Sequence, residues 1–228
     1  MVNGNGNGTH LLPSDDLLLK RGDVLGMMQA AAGRMTPDLL ARITPILYPP
    51  AAPPEDGKVR LNLACGQRPK PGFVNADIVK SEGTDVATDL FTSPWPWADA
   101  SVDEIEADHF VEHVPDLVAF LAECYRVLKV GGTCKLVAPY YTSVRCWQDP
   151  THLRAISENT FLYFNKAWRD TNGLSHYAIH SDFDFTFGYG ISDPSWVSRS
   201  EEARAFAVRH YFNVVDDLHV CLTKRAGS

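Results

Sequence analysis

Apolar and polar residues follow two patterns in the chain after Lys58. Short apolar runs bounded by polar turns predict strands, and stretches with apolar residues every three or four positions predict helices. Strands alternating with helices of this length imply a mostly parallel sheet, so the sequence predicts an α/β fold. The predicted strands are Val59–Ala64, Phe73–Ile78, Thr84–Ala87, Val102–Ala107, Thr133–Ala138, Tyr177–Phe187 and Val214–Leu222. The predicted helices are Val114–Leu128, which we expect Gly131-Gly132 to end, Ser157–Phe164 and Ser200–Tyr211.

The chain before Lys58 has a different composition and a different pattern of apolar residues. Residues 1–10 are rich in Gly and Asn, offer nothing to bury, and are expected to be disordered. Residues 11–47 carry apolar residues at helical spacing after two N-cap signals, which predicts two short amphipathic helices. A proline-rich connector follows and should be stiff. We therefore expect a helical extension and linker over residues 11–57 and one domain over residues 58–228.

Composition and charge narrow the class of protein. The chain has 228 residues, which suits one domain with an extension, and its formal net charge is −7. That charge argues against a nucleic-acid binder. The five cysteines form no C-x-x-C pair, which predicts free thiols in a reducing compartment. We see no signal peptide and no apolar run that could span a membrane, so the sequence predicts a cytoplasmic location and no membrane partner.

The most informative stretch joins the first two predicted strands. Leu61–Ala64 runs into a turn of small residues ending at Gly66, and the second strand ends in Asp77. Small residues let a ligand approach the backbone, and ligands of such sheets bind at the carboxyl ends of the strands. A carboxylate at the end of the second strand can accept both hydroxyls of a ribose, so this turn predicts a nucleotide-like ligand.

Three later segments strengthen this interpretation: Asp89-Leu90-Phe91, the run Ser101–Ile105 followed by His109–His113, and Glu123–Gly132 with its Arg-Val-Leu-Lys-x-Gly-Gly element. In this order and spacing they resemble class I S-adenosylmethionine-dependent methyltransferases over Val59–Pro139. The resemblance implies a Rossmann-like sheet of seven strands, mostly parallel with an antiparallel last strand, and S-adenosyl-L-methionine as cofactor. It implies cofactor contacts at Ala64, Cys65, Gly66, Asp77, Ile78, Asp89, Leu90, Asp108 and His109.

The sequence departs from that family at the first turn. Only Gly66 of the family's three glycines is present, and Ala64 replaces the first. Only Gln67–Phe73 separates this turn from the next strand, whereas a parallel crossover usually takes a dozen or more residues. We expect a loop there and a pocket less enclosed on that side. Our hypothesis is that the helices of residues 14–47 cover it, so that deleting residues 1–50 weakens cofactor affinity.

The acceptor side is defined by the segments after the fifth strand. Tyr140 and Tyr141 follow that strand, where the family places acceptor-facing residues, and Asp149 and His152 belong to a D-P-T-H segment seen in the same group. These four are our candidate substrate-binding residues. If the acceptor must lose a proton, a histidine is the natural base, with His152 first and His109 or His113 next.

The proposed reaction transfers a methyl group to an oxygen or nitrogen of a small-molecule or glycan-like acceptor. Two other classes stay open: a non-catalytic cofactor-binding or scaffold protein, and a nicotinamide-dependent oxidoreductase, although the chain lacks the G-x-G-x-x-G that the latter requires. Asp149 and His152 could instead only hold their loop, and Glu112-His113 could only satisfy a helix N-terminus. No metal site is predicted, because the eight histidines show no H-E-x-x-H spacing. The oligomeric state is left open.

Overall fold

The computed structural model describes residues 56–226. The predicted disordered segment, the two N-terminal helices and most of the proline-rich linker lie outside the described residues. The described part forms a seven-stranded sheet in the order β3-β2-β1-β4-β5-β7-β6. Strands β1 to β5 are parallel to one another, and β7 runs antiparallel to both of its neighbours. The mostly parallel α/β fold with an antiparallel last strand is thus confirmed. The strands are β1 Arg60–Leu63, β2 Val74–Asp77, β3 Val86–Ala87, β4 Val102–Asp108, β5 Leu128–Pro139, β6 Phe183–Gly190 and β7 Asp217–Lys224.

Five α-helices and one 3₁₀ helix accompany the sheet in residues 56–226. Three of these helices were predicted from the spacing of apolar residues. The other three are too short to show a helical period in the sequence. None of the helices described is long and apolar enough to cross a membrane. The helices are α1 Leu117–Val127, α2 Val144–Gln148, the 3₁₀ helix Glu158–Phe164, α3 Lys166–Thr171, α4 Pro194–Val197 and α5 Glu201–His210.

Several boundaries predicted from the sequence are wrong, and the last strand runs over Asp217–Lys224 rather than Val214–Leu222. Helix α1 ends at Val127, and Gly131-Gly132 lies inside β5 rather than ending the helix. The strand predicted at Tyr177–Phe187 begins only at Phe183. Its first half is held by a side chain instead: the buried Arg169 guanidinium donates to the carbonyls of Ile179 and Ser181. Backbone acceptors satisfied in this way need no neighbouring strand.

The connections among the first four strands contain no helix. The first crossover is a loop, as its length predicted, and polar side chains hold it in place. The Asn62 amide donates to Asn75 Oδ1 at 2.8 Å and to the Arg68 carbonyl at 3.0 Å. The Asn75 backbone N–H in turn donates to Asp85 Oδ2 at 2.8 Å, which fixes the second connection. Side-chain amides therefore hold these loops against the sheet.

The two faces of the sheet differ in polarity. Ile105 and Leu136 are fully or almost fully buried on the face that packs against α1. Their neighbours along the strands, which point to the opposite face, are charged: Glu106 on β4 pairs with Lys135 on β5 at 3.5 Å and with Lys70 at 2.7 Å. Because successive strand residues alternate between faces, this half of the sheet has one apolar and one charged side.

A buried ion pair fixes the long connection between β3 and β4. Glu123 on α1 accepts the Arg126 guanidinium through both oxygens, at 2.7 and 2.8 Å, and also the Trp95 backbone N–H at 2.7 Å. Arg126 also donates to the carbonyls of Trp95 and Trp97 and to Asp99. This pair belongs to the segment that carries the Arg-Val-Leu-Lys-x-Gly-Gly element, so the motif's arginine holds a loop that contains no helix.

Candidate cofactor and acceptor site

The predicted cofactor residues meet at the carboxyl edge of the sheet. The strand order reverses direction between β1 and β4, which is where ligands of such sheets bind. Asp77, the last residue of β2, accepts the Gly66 N–H at 2.8 Å through Oδ2 and the Val79 N–H at 3.0 Å through Oδ1. Each carboxylate oxygen has two acceptor sites. The turn after β1 and the acid after β2 are therefore joined, and each Asp77 oxygen keeps one acceptor site.

The turn after β1 has a backbone that glycine adopts more easily than alanine. Ala64 has φ +53° and Gly66 has φ +50°, both in the left-handed region. A left-handed conformation costs an ordinary residue about 1–2 kcal/mol. A Cβ built on Gly66 would meet no atom of residues 56–226 within 4 Å, so these residues leave the space beside it open. Cys65 between them is buried, and its N–H donates to the Ala76 carbonyl at 3.0 Å.

The other predicted cofactor residues border the same edge. Ile78 is 66% exposed, and Gly66 is exposed as well. Leu90 is buried in the core, and the Asp89 carboxylate accepts the Phe91 N–H at 2.9 Å. The ring of Phe91 stacks on Phe110 with centroids 5.5 Å apart. This stack joins the loop after β3 to the segment after β4.

Asp108 and His109 lie where β4 ends. The exposed Asp108 carboxylate pairs with Lys70 at 2.9 Å, a partner that the sequence patterns did not indicate. His109 has φ +53°, and its backbone N–H donates to the Val137 carbonyl at 2.8 Å. Its Nδ1 lies 3.5 Å from Glu112 Oε1. The interaction with the Glu112 carboxylate raises the pKa of His109 and outweighs the opposing effect of burial.

The other two candidate bases form one cluster with Glu112. The rings of His113 and His152 meet edge to face with centroids 4.7 Å apart. His152 Nε2 lies 4.0 Å from Glu112 Oε1 and 3.9 Å from Asp149 Oδ2. The structure thus brings Asp149 and His152 to the histidines that follow β4.

Tyr140 and Tyr141 lie elsewhere, in a cleft of about 850 Å³ between the end of β5 and α5. Tyr140 is buried and donates to Glu158 at 3.0 Å, whereas Tyr141 is 39% exposed. Burial and the neighbouring Tyr189 raise the pKa of Tyr140. Cleft residues not foreseen from the sequence are Glu158, Tyr189, Arg204 and Arg209. They come from three separate elements, and only knowledge of their packing shows that they meet. The four predicted substrate residues thus divide between this cleft and the histidine cluster.

Comparisons with known proteins agree with the fold. Residues 69–136 match the family model described as the methyltransferase domain. A search of curated proteins finds no match. An S-adenosylmethionine-dependent methyltransferase from Archaeoglobus fulgidus is 20% identical, with a TM-score of 0.51, over 87% of this chain and 99% of that chain.

Two further solved structures are more distant. The YcgJ protein from Bacillus subtilis is 18% identical with a TM-score of 0.45, over 75% of this chain and 93% of its own. An S-adenosylmethionine-dependent methyltransferase from Mesorhizobium loti is 12% identical with a TM-score of 0.45, over 73% and 90%. The archaeal structure, with its TM-score of 0.51, shows the fold.

Residues 69–136 match the methyltransferase domain, and the described sheet has the fold of class I S-adenosylmethionine-dependent methyltransferases, as the sequence resemblance implied. The cofactor that this class implies is S-adenosylmethionine.

Proposed function

We propose that the protein transfers a methyl group from S-adenosylmethionine to an oxygen or nitrogen of a small-molecule or glycan-like acceptor. The observation that carries the proposal is the Asp77 carboxylate, which is fixed by two backbone donors at the point where the strand order reverses. One free acceptor site on each oxygen suits the two adjacent hydroxyls of a ribose.

The residues at this edge fit the cofactor. The open space beside Gly66 admits a ligand against the backbone, and the Phe91–Phe110 stack gives the edge an apolar wall. When bound, the cofactor supplies a methyl carbon already activated by its sulfonium. Asp77 would orient the ribose, and the turn from Ala64 to Gly66 would lie beneath the methionine part. Fixing the reacting atoms in line is the main task of such an enzyme.

The acceptor would occupy the cleft between Tyr140 and α5. Its lining combines aromatic rings with charges of both signs, Glu158 and Arg204 among them, which suits a polar acceptor such as a sugar. A glycan-like acceptor presents hydroxyls and flat apolar faces, which hydrogen-bonding groups and tyrosine rings can bind. A base for a hydroxyl or ammonium acceptor stays a proposal, with His152, His109 and His113 as candidates.

The test is calorimetric titration of the full chain with S-adenosylmethionine and, separately, S-adenosylhomocysteine. We expect both to bind the wild type, and Asp77→Asn to weaken both by roughly 10- to 100-fold because a charged acceptor is lost. Asp99→Asn is the matched control, since Asp99 precedes β4 at the opposite edge, and its affinities should match the wild type. A folded wild type that binds neither ligand would contradict the proposal.

A second candidate function is a non-catalytic cofactor-binding or scaffold protein. The observation that favours it is the left-handed Ala64, where the family has a glycine. Transfer of radiolabelled methyl groups to a panel of hydroxyl and amine acceptors, glycans included, separates the two. We expect labelled product and S-adenosylhomocysteine in equal amounts. Binding of the cofactor with no transfer to any acceptor of the panel would favour the scaffold.

A further inference from the structure

Glu112 is a buried carboxylate that has no hydrogen-bond partner among residues 56–226. It is 1% exposed, and neither of its side-chain oxygens is hydrogen-bonded within that range. Two imidazole nitrogens lie close to Oε1, Nδ1 of His109 at 3.5 Å and Nε2 of His152 at 4.0 Å. An isolated carboxylate away from water is costly and calls for a compensating positive charge. The positive charge nearest to Glu112 is the one that His109 can carry at 3.5 Å, and a bound cation would compensate the buried carboxylate further.

The two histidines beside Glu112 have their Nδ1 atoms occupied. His152 Nδ1 lies 3.0 Å from the Cys146 carbonyl oxygen, and a carbonyl can only accept, so Nδ1 carries the proton. His113 Nδ1 lies 3.3 Å from the Thr151 carbonyl and 3.0 Å from the Thr151 hydroxyl. With the proton on Nδ1 in each ring, Nε2 carries the lone pair that can bind a ligand. Histidines that bind metals show this arrangement, with the second nitrogen donating to a carbonyl.

The distances suit a shared ion. One potential ligand atom from each of Glu112, His113 and His152 lies within 4.8 Å of the other two. Ligand atoms around a tetrahedral ion with bonds of about 2.0–2.1 Å are about 3.3 Å apart, so closure takes side-chain movements of about 1 Å. The backbone fixes the two segments together, because the Leu153 N–H donates to the Glu112 carbonyl at 2.8 Å.

A fourth potential ligand, a carboxylate oxygen, lies beside the cluster. Asp149 Oδ2 is 3.9 Å from His152 Nε2, and its other oxygen accepts the Thr151 N–H and hydroxyl. Thr151 thus connects Asp149 with His113. Such connected outer groups orient ligands, and Asp149 can either bind an ion or hold a water on it.

We propose that Glu112, His113 and His152 bind a divalent transition-metal ion such as Zn²⁺, with Asp149 at its open side. Two imidazoles and one carboxylate suit zinc and its neighbours, whereas Mg²⁺ and Ca²⁺ prefer oxygen ligands. Sequence spacing did not predict this site because His152 lies far along the chain from the adjacent Glu112 and His113. Only the packing of the loop after α2 against the segment after β4 brings them together.

The site adjoins the cofactor edge through His109, which touches Glu112. Three protein ligands leave coordination positions open, and a metal there lowers the pKa of a bound hydroxyl. An acceptor that extends from the cleft to this metal would have its oxygen activated without a histidine base. This role rests on the proposed function, but binding of the metal does not.

The test uses the full chain after treatment with a chelator and dialysis. Calorimetric titration with Zn²⁺ should give one site per chain, and Mg²⁺ should not compete for it. Co²⁺ should produce visible absorption bands of a site with nitrogen ligands. Glu112→Gln, which keeps the size of the side chain, should weaken Zn²⁺ binding at least 100-fold. His219→Gln is the matched control, because His219 is exposed on β7 outside the cluster, and its Zn²⁺ affinity should equal the wild type.

Circular dichroism checks that each variant is folded, and His113→Gln provides a second variant if Glu112→Gln is not. The proposal is overturned if folded Glu112→Gln and His113→Gln bind Zn²⁺ as tightly as the wild type, because the ion is then held elsewhere. It is also overturned if the wild type binds no Zn²⁺. Titrating the same metal-free protein with S-adenosylhomocysteine measures the cofactor site separately, so failure of one proposal is distinguishable from failure of the other.

Discussion

Replacing Arg126 with alanine tests whether the buried ion pair on α1 holds the connection between β3 and β4. The change removes both hydrogen bonds from the guanidinium to Glu123, together with those to two loop carbonyls. The Glu123 side chain is only 10% exposed, so its carboxylate would be left buried with the Trp95 N–H as its remaining donor. Breaking a buried pair from one side costs about 3–5 kcal/mol.

The opposite truncation, Glu123→Ala, should cost less. Arg126 is 25% exposed and keeps Asp99 and the carbonyls of Trp95 and Trp97 as acceptors. The double variant leaves no buried charge unpaired, so its destabilisation should fall short of the sum of the two single changes by about 1–3 kcal/mol. This asymmetry distinguishes a buried charge from a simple loss of packing.

Urea unfolding followed by tryptophan fluorescence measures these changes, and Trp95 and Trp97 lie beside the pair as reporters. With a urea dependence of about 2–3 kcal/mol/M, Arg126→Ala should lower the midpoint by roughly 1–2 M. The control is Lys166→Ala, which breaks an exposed pair with Asp170 and should cost about 0.3–0.5 kcal/mol. The reasoning is refuted if Arg126→Ala behaves like this control, or if the two single changes at the buried pair are additive.

Three further predictions concern single positions. Ala64→Gly relieves a left-handed alanine and should raise the melting temperature by roughly 1–4 °C in calorimetry; a lower value would contradict the strain inferred from φ +53°. Gly132→Ala places a Cβ 2.9 Å from the Lys129 carbonyl and should cost about 1–3 kcal/mol in urea unfolding, and an unchanged midpoint would refute the clash. Burial would raise the pKa of Asp103, but hydrogen bonds from Lys129 and the Val59 N–H outweigh it and lower the pKa below 3.8. Its stabilisation is present above that value and lost as pH falls below it, so stability measured against pH should fall less steeply in Asp103→Asn; identical slopes would contradict this.

The order and type of the main elements could be predicted because the pattern of apolar residues is local. In β4, the buried residues Ile105 and Ala107 alternate with polar residues because one face of the strand packs on the core. In α1, apolar residues from Leu117 to Cys124 recur at helical spacing for the same reason. The position of Asp77 at the end of β2 followed from the same reasoning. The hydrogen bond between Asp77 and the Gly66 N–H forms because β1 and β2 are neighbours in the sheet.

What escaped prediction depends on contacts between distant segments. The late start of β6 depends on Arg169, whose guanidinium takes the carbonyls that a neighbouring strand would otherwise pair. Strand β5 begins as early as Leu128 because Leu128 pairs with Val102 on β4. This pairing places Gly131 and Gly132 inside the strand. The approach of His152 to Glu112 depends on the loop after α2. None of these contacts leaves a periodic signal in the sequence.

The short crossovers also determine how much chain must be ordered to form each half of the sheet. The side-chain bond between Asn62 on β1 and Asn75 on β2 closes a separation of 13 residues, and Asn75 meets Asp85 after 10. At the other end, Lys224 on β7 reaches the Leu128 carbonyl across 96 residues. The entropic cost of closing a loop rises with the logarithm of its length. Closing the 13-residue separation therefore costs about 2 kcal/mol less free energy than closing the 96-residue separation. Parallel strands normally form slowly because their partners are far apart. In this protein the cofactor half of the sheet can therefore assemble from nearly local contacts and offer an edge on which β4 and the later strands are added.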